Sequence, residues 1–173
     1  DHAINEKFQF QLIAKLPAGR DEGRAYDYYD KYSVIFHDTL SEGITYDKDD
    51  ELDSVVIKSN GNTYDITNDT SKYTITESQN SFVVKIHDVK NCAEGLDLND
   101  GATITVTYTA HLNDKAYVNT RSGSTENKNS VQLQYSNNPR PGDYWGTTPK
   151  SEVYVFTYQL NNTKHQDTEK GPA

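Results

Sequence analysis

Two polar residues of this sequence stand where an apolar side chain is expected. Asp38 continues a row of alternate residues that includes Val34 and Phe36. Asn129 begins a similar row that continues with Val131. A carboxylate buried between strands is costly in free energy unless it is paired or protonated. Because acids with shifted pKa values concentrate at functional sites, Asp38 and Asn129 are candidates for a functional site.

A structural interpretation of the same two residues is also open. Asp38 would then cap the turn over residues 39–43, and Asn129 would stand at the entrance of a strand. Short polar side chains are common at such positions because they form hydrogen bonds with nearby backbone groups. Periodicity alone does not choose between the two interpretations.

Other catalytic and metal-binding patterns are missing from the sequence. The five histidines have no metal-ligand spacing, and Cys92 is interpreted as a small buried residue. No glycine-rich phosphate loop and no nucleophile elbow occur. The acidic run over residues 47–53 offers oxygen ligands for Ca²⁺ but lacks the spacing and glycine of an EF-hand, so we interpret it as a solvated turn. We therefore predict no cofactor, no metal and no enzyme acting on a soluble substrate.

The elements that must position Asp38 and Asn129 are strands. Apolar residues alternate over most of the chain, most clearly at Ile104, Val106 and Tyr108. Other such rows cover residues 8–14, 32–40, 44–46, 55–58, 64–66, 73–76, 82–86, 129–135 and 154–160. Residues 88–98 break the pattern, and residues 136–150, rich in Asn, Pro and Gly, are expected to form a long loop. About nine short strands with long loops predict an all-β, antiparallel, Ig-like β-sandwich.

Length and charge exclude several classes of partner. The 173 residues suit one domain, with the sandwich expected over residues 1–162 and a linker or the start of a following domain over residues 163–173. The formal charge of −9 argues against a nucleic-acid partner and against anionic lipid. No apolar run approaches the roughly 20 residues of a membrane span, so membrane insertion is not expected.

Four segments resemble one known family, in the order that the family has them. Residues 37–46, HDTLSEGITY, resemble the DTLxxGLxY segment of the fimbrial isopeptide-formation D2 domain, found in sortase-assembled pilins of Gram-positive bacteria. Residues 101–113, GATITVTYTAHLN, are similar to its GxTIxVTYxAxLN strand, and residues 129–139, NSVQLQYSNNP, to its NxVxLxYSNNP strand and loop. Residues 155–160, VFTYQL, resemble the strand that leads into the next domain.

The resemblance implies a Cna-like β-sandwich in the stalk of a pilus or surface adhesin. It implies an extracellular, cell-wall-anchored protein joined to neighbouring pilin subunits by sortase. It also implies an autocatalytic, single-turnover Lys–Asn isopeptide bond inside the domain. By this match Asn129 is the acceptor amide and Asp38 is the catalytic acid that promotes the bond.

The resemblance leaves the donor lysine without a match in this sequence. In the family that lysine lies on a strand before the segment that residues 3–12 resemble, so we expect it upstream of residue 1. Lys7 and Lys15 share the outward parity of their strand and are not assigned as donors. We therefore expect an open groove beside Asp38 and Asn129, which a complementing lysine-bearing strand can fill.

A second function remains open beside the structural one. A ligand-binding adhesin domain of the same fold would recognise a host protein or glycan through its loops over residues 17–30 and 136–150. Aromatic side chains suited to such contacts are Tyr28, Tyr29, Tyr144 and Trp145. A secreted hydrolase is disfavoured because no pair of inward acids and no triad can be assembled.

Overall fold

The computed structural model describes residues 3–47, 52–118, 127–140, 145–148 and 151–155. The regular secondary structure of this part of the chain is almost entirely strand, with two short 3₁₀ helices at Ala25–Tyr28 and Leu98–Asp100. The strands are β1 (Lys7–Leu16), β2 (Val34–Leu40), β3 (Ile44–Tyr46), β4 (Ser54–Ser59), β5 (Asn62–Asp65), β6 (Tyr73–Glu77), β7 (Ser81–Ile86), β8 (Ala102–Leu112), β9 (Asn127–Ser136), β10 (Trp145–Thr147) and β11 (Ser151–Val155). Neither helix has the length or apolar character that crossing a membrane would need.

The strands form two antiparallel sheets. The first has the order β1-β8-β4-β5, with β3 also paired to β8, and the second has the order β10-β9-β2-β7-β6, with β11 also paired to β9. The predicted antiparallel β-sandwich is therefore confirmed. The expected linker over residues 163–173 lies outside the described residues.

The prediction of a strand-free loop over residues 136–150 is wrong. β10 lies within this stretch and pairs with the end of β9, where Gly146 is opposite Tyr135. A Cβ atom on Gly146 would lie 2.6 Å from the Tyr135 ring, so only glycine permits this close approach. The Asn, Pro and Gly content that suggested a loop therefore concealed a short strand.

The core lies between the two sheets and follows the alternation of the sequence. Every second residue of β8 from Ala102 to Leu112 is buried, as are Phe36, Val84 and Ile86 of the facing sheet. Burying a side chain of this size contributes about 1.5–3 kcal/mol relative to leaving it exposed. Hydrophobic burial between the sheets thus holds the sandwich together and sets which residues point inward.

β1 is an edge strand in the described part of the sandwich. It pairs with β8 along its full length, from Lys7 opposite His111 to Leu16 opposite Ala102. Its inward residues are buried from Phe10 onward, whereas Lys7 and Lys15 are exposed. An unpaired strand edge offers backbone groups to which another strand can be added.

Asn99 fixes the long connection between β1 and β2. Its side chain accepts a hydrogen bond from the backbone N–H of Tyr26 and donates to Asp27 and Asp97, while its backbone carbonyl accepts from Gly19. Asn99 and Tyr26 are both buried, so the Tyr26 N–H would lose its partner without access to water, whereas Asp27 and Asp97 are partly exposed. The connection that the sequence suggested as a binding loop is therefore tied to the sandwich.

Replacing Asn99 by alanine should lower the free energy of unfolding by about 1–3 kcal/mol for each buried group left unpaired. The matched control is Asn91→Ala, because Asn91 makes a similar pair of contacts, to Asp30 and Asp88, on the exposed surface. Urea unfolding of both variants measures the difference. Equal losses of stability would contradict the assigned role of the buried amide.

Candidate functional site

Asp38 lies in the middle of β2 and points into the core. It is opposite Val131 of β9 on one side and Phe82 of β7 on the other, and its side chain is 1% exposed. One carboxylate oxygen, Oδ2, accepts a hydrogen bond from Tyr108 in the opposite sheet. The side chain thus points toward the other sheet and not toward the turn over residues 39–43, which the capping interpretation would require.

Asn129 lies on the neighbouring strand and faces the same way. Because Asn129 is opposite Leu40 and Val131 is opposite Asp38, Asp38 and Asn129 are diagonal neighbours on one face of the sheet. The Asn129 side chain is 3% exposed, and its Nδ2 donates a hydrogen bond to the Tyr108 hydroxyl at 2.7 Å. The structure therefore brings together the two residues that the sequence singled out.

Tyr108 joins them from β8 in the opposite sheet. Its hydroxyl accepts from Asn129 Nδ2 and donates to Asp38 Oδ2 at 2.6 Å, so one oxygen atom bridges the acid and the amide. The sequence placed Tyr108 on an inward row but gave it no role. The available signal was that a buried tyrosine needs a partner for its hydroxyl group.

Aromatic rings hold the Tyr108 side chain in place. Phe82 meets its ring edge-on with 4.6 Å between the centroids, and Tyr46 does the same at 5.5 Å. Phe10 of β1 lies at 5.4 Å on a tilted plane. Tyr108 itself has no exposed surface, so the position of its hydroxyl is fixed by the core around it.

Burial controls the protonation of this site. It raises the pKa of Asp38 to about 7, and the nearby polar groups of Tyr108, Asn129 and the Thr39 backbone, in that order, oppose this effect. The pKa of Tyr108 is raised as well, first by burial and then by the negative charge of Asp38. A pKa raised into this range allows Asp38 to hold or release a proton near neutral pH.

Two acceptor oxygens of the site have no partner. Asp38 Oδ1 and Asn129 Oδ1 are both buried without a hydrogen bond. A buried polar atom left unpaired costs about 1–3 kcal/mol. The described site is thus short of hydrogen-bond donors, and both unpartnered oxygens belong to the acid and amide that Tyr108 connects.

Asn127 and Asn129 are both buried on β9, but the side-chain oxygen of Asn127 has a hydrogen-bond partner. The Asn127 Oδ1 accepts from the backbone N–H of Tyr117, and its Nδ2 donates to the carbonyl of the same residue. A Cβ atom on Gly43 would lie 2.5 Å from this Oδ1. Asn127 therefore fixes the segment around Tyr117, and both ends of its amide are occupied.

No lysine in the described ranges is buried. Lys7 and Lys15 are exposed, as their parity predicts. The expected open groove directly beside Asp38 and Asn129 is wrong, because both side chains are enclosed and aromatic rings pack around Tyr108.

An opening between the sheets does exist further along β1 and β9. It is a cavity of about 290 Å³ whose walls include Ala14, Leu16, Tyr32, Leu133 and Tyr135. On β9 the inward residues Val131, Leu133 and Tyr135 are only partly buried, unlike Asn129. The inner face of β9 is therefore less covered on this side of the site.

The aromatic residues proposed for ligand contact are not gathered into one surface. Trp145 lies in β10, half-buried, with Lys85 Nζ 5.6 Å from its ring centroid, and Tyr144 lies outside the described residues. Tyr28 is 70% exposed, whereas the ring of Tyr29 packs against Tyr32. These positions do not define a binding site.

The acidic run over residues 47–53 is only partly described, since residues 48–51 lie outside the described ranges. Asp47 accepts a hydrogen bond from His111 at 2.7 Å, and Asp53 accepts from Gln9 and Thr109. In the described part of the chain, no three His, Cys, Asp or Glu side chains are grouped so that they could hold a metal ion.

Comparisons with known proteins place this fold among pilus proteins. No family model matches the sequence, and no curated protein is significantly similar to it. The pilus backbone RrgB of Streptococcus pneumoniae is 25% identical over 82% of this chain and 27% of its own, with a TM-score of 0.53. The C-terminal fragment of the major pilin GBS80 of Streptococcus agalactiae is 20% identical over 90% of this chain and 50% of its own, with a TM-score of 0.58.

A third structure agrees with these two. The pilus 2b backbone protein of group B streptococcus is 20% identical over 90% of this chain and 53% of its own, with a TM-score of 0.62. The chain thus spans from about a quarter to about half of the pilins it resembles. Its structural neighbours are backbone pilins of Gram-positive bacteria, and it shares their β-sandwich fold.

Proposed function

We propose that this chain is a structural domain of a pilus backbone or surface stalk, reinforced by an isopeptide bond between Asn129 and a lysine. Asp38 promotes the bond, and the lysine belongs to a segment outside the described residues. The observation that carries the proposal is the buried Asp38–Tyr108–Asn129 bridge with one unpartnered oxygen on each of Asp38 and Asn129. The resemblance to backbone pilins supports the structural role.

A lysine is the donor that this site lacks. The amine of a lysine carries enough N–H groups to serve both unpartnered oxygens, and in the product the new amide N–H can still serve one of them. Surrounding apolar and aromatic side chains disfavour the charged ammonium, which lowers the lysine pKa and leaves a nucleophilic amine.

The reaction then needs only groups of the chain. The neutral lysine nitrogen attacks Cγ of Asn129, and Asp38 in its protonated form supplies a proton to the reaction. The Cγ–Nδ2 bond breaks, Nδ2 gains one proton and leaves as ammonia, and the lysine nitrogen loses one proton. Because the fold holds the reacting groups in contact, proximity supplies much of the rate.

The lysine approaches along the less covered side of β9. The cavity beside Leu133 and Tyr135 is largely apolar, and the edge of β1 that faces away from β8, its strand partner among the described residues, lies next to it. A strand added to that edge would alternate its side chains between solvent and core, so one lysine on its inward row can reach the site. Such a strand comes from the same molecule or from a neighbouring subunit.

The bond suits a stalk on the cell surface. A cross-link between distant parts of the chain restricts the unfolded state, and a disulfide of comparable span contributes about 2–4 kcal/mol. The single cysteine, Cys92, rules out an internal disulfide in this sequence. The proposed setting is an extracellular, cell-wall-anchored pilus whose subunits are linked by sortase.

Asn129→Ala and Asp38→Asn should each prevent the bond in the natural full-length protein. Intact mass spectrometry of the unmodified protein should show a deficit of about 17 Da for the ammonia released, and each variant should lack this deficit. Asp38→Asn keeps the size of the side chain, so a folded variant is expected, and circular dichroism checks this.

The matched control is Asn127→Ala. This residue is also buried on β9, but its amide is occupied by Tyr117, so the variant should lose stability and still release ammonia. If ammonia release instead depends on Asn127 and persists without Asn129, the acceptor has been assigned to the wrong residue.

Asp38 should also make the uncross-linked chain less stable as the pH rises from about 4 to about 7. Its pKa is higher in the folded state, so the folded chain holds a proton that the unfolded chain has released, and this contribution is lost as pH rises through the folded pKa. The full effect corresponds to about 4 kcal/mol. Urea unfolding of Asn129→Ala, which lacks the acceptor and so cannot form the bond, and of the double variant Asn129→Ala with Asp38→Asn measures it across this range. A difference in stability that does not change with pH would contradict the assigned protonation.

A further inference from the structure

We infer that the Tyr108 hydroxyl is a catalytic proton relay, which carries the proton of Asp38 to the departing nitrogen of Asn129. The inference deepens the proposed isopeptide reaction and rests on it. It is carried by one geometric fact, namely that a single buried oxygen lies 2.6 Å from Asp38 Oδ2 and 2.7 Å from Asn129 Nδ2.

The two oxygens of Asp38 have different surroundings, and we assign each of them a different proton transfer. Oδ2 is hydrogen-bonded to Tyr108, whereas Oδ1 is buried and unpartnered. The free Oδ1 is the oxygen available to the attacking lysine. The described hydrogen bond of Asn129 Nδ2 goes to Tyr108, so a proton leaving Oδ2 reaches this nitrogen through the tyrosine oxygen.

In the resting site with Asp38 ionised, Tyr108 donates to Asp38 and accepts from the amide nitrogen. An amide nitrogen is not an acceptor because its lone pair is delocalised into the carbonyl group. Attack by lysine converts Cγ to a tetrahedral centre and restores that lone pair. Both hydrogen bonds then reverse, provided Asp38 carries its proton on Oδ2, which a pKa of about 7 permits at neutral pH.

The relay balances in protons and charge. The tetrahedral adduct forms with a positive charge on the lysine nitrogen and a negative charge on Oδ1 of Asn129, and this oxygen becomes a carbonyl again when ammonia leaves. Tyr108 gives its hydroxyl proton to Nδ2 and takes the proton of Asp38 Oδ2, and Asp38 takes one proton from the lysine nitrogen at Oδ1. Ammonia leaves as the Cγ–Nδ2 bond breaks and the isopeptide bond remains. Tyr108 ends unchanged and Asp38 ends protonated, ready to hydrogen-bond the product.

A relay through tyrosine also fits the high pKa of this hydroxyl. Burial and the neighbouring carboxylate keep Tyr108 protonated, so a free tyrosinate is not an intermediate. The hydroxyl must instead give and receive a proton in one concerted step. The rings of Phe10, Tyr46 and Phe82 prevent the side chain from turning away during that step.

The test follows bond formation in newly made full-length protein. Cell-free synthesis is sampled over time by intact mass spectrometry, which gives the fraction that has released ammonia. Tyr108→Phe keeps the ring and removes the hydroxyl, and bond formation should slow by about 10²–10⁴-fold, the usual contribution of a positioned acid or base. The matched control is Tyr73→Phe, which removes a hydroxyl from another buried tyrosine, one that donates to the Thr67 carbonyl and not to the site, and which should leave the rate within a few-fold.

A second measurement separates proton transfer from mere positioning. Fluorinated tyrosines at position 108 keep a hydroxyl of nearly the same size but change its acidity in steps. The rate of bond formation should change steadily with the acidity of the hydroxyl, because the rate of a step in which the hydroxyl gives up its proton depends on that acidity. A hydroxyl that only orients Asn129 would support the same rate with every fluorinated residue.

The outcomes distinguish the relay from the reaction on which it rests. If Tyr108→Phe forms the bond as fast as the unmodified protein, or if fluorination leaves the rate unchanged, the relay is overturned and the isopeptide bond stands. If the unmodified protein releases no ammonia at Asn129, the isopeptide proposal fails and the relay fails with it.

Discussion

The site depends on one carboxyl group that the fold removes from water. Asp38 lies between β7 and β9, and its burial is what raises its pKa to about 7. Hydrophobic pairing of the two sheets supplies the free energy that keeps it there. The hydroxyl of Tyr108 satisfies one oxygen of the carboxyl group, and the other has no hydrogen-bond partner among the described residues.

Much of this arrangement could be predicted from the sequence. Strand periodicity is strict around Asp38 and Asn129, and a polar residue on an inward row is visible without a structure. The pairing of β2 with β9 could not be read from periodicity, since alternation gives the face of each residue but not its neighbour. The resemblance to pilin domains implied that Asp38 and Asn129 act together. The register of β2 and β9 makes them diagonal neighbours on one face of the sheet.

Sequence reasoning failed where side chains from different parts of the chain meet. Tyr108 has the same parity as its apolar neighbours on β8, and only the position of its hydroxyl between two strands of the opposite sheet distinguishes it. β10 was missed because glycine at position 146 serves packing against Tyr135 and not a turn. The side-chain amide of Asn127 forms both of its hydrogen bonds with the backbone of Tyr117, and no sequence pattern connects these two residues.

The most direct test of the central claim is the covalent state of Asn129 in the natural full-length protein. Proteolytic digestion followed by tandem mass spectrometry identifies the peptide that contains this residue. We predict that this peptide is joined to a second, lysine-containing peptide, with the mass of one ammonia missing from the pair. Recovery of the Asn129 peptide alone, with its amide intact, would contradict the account.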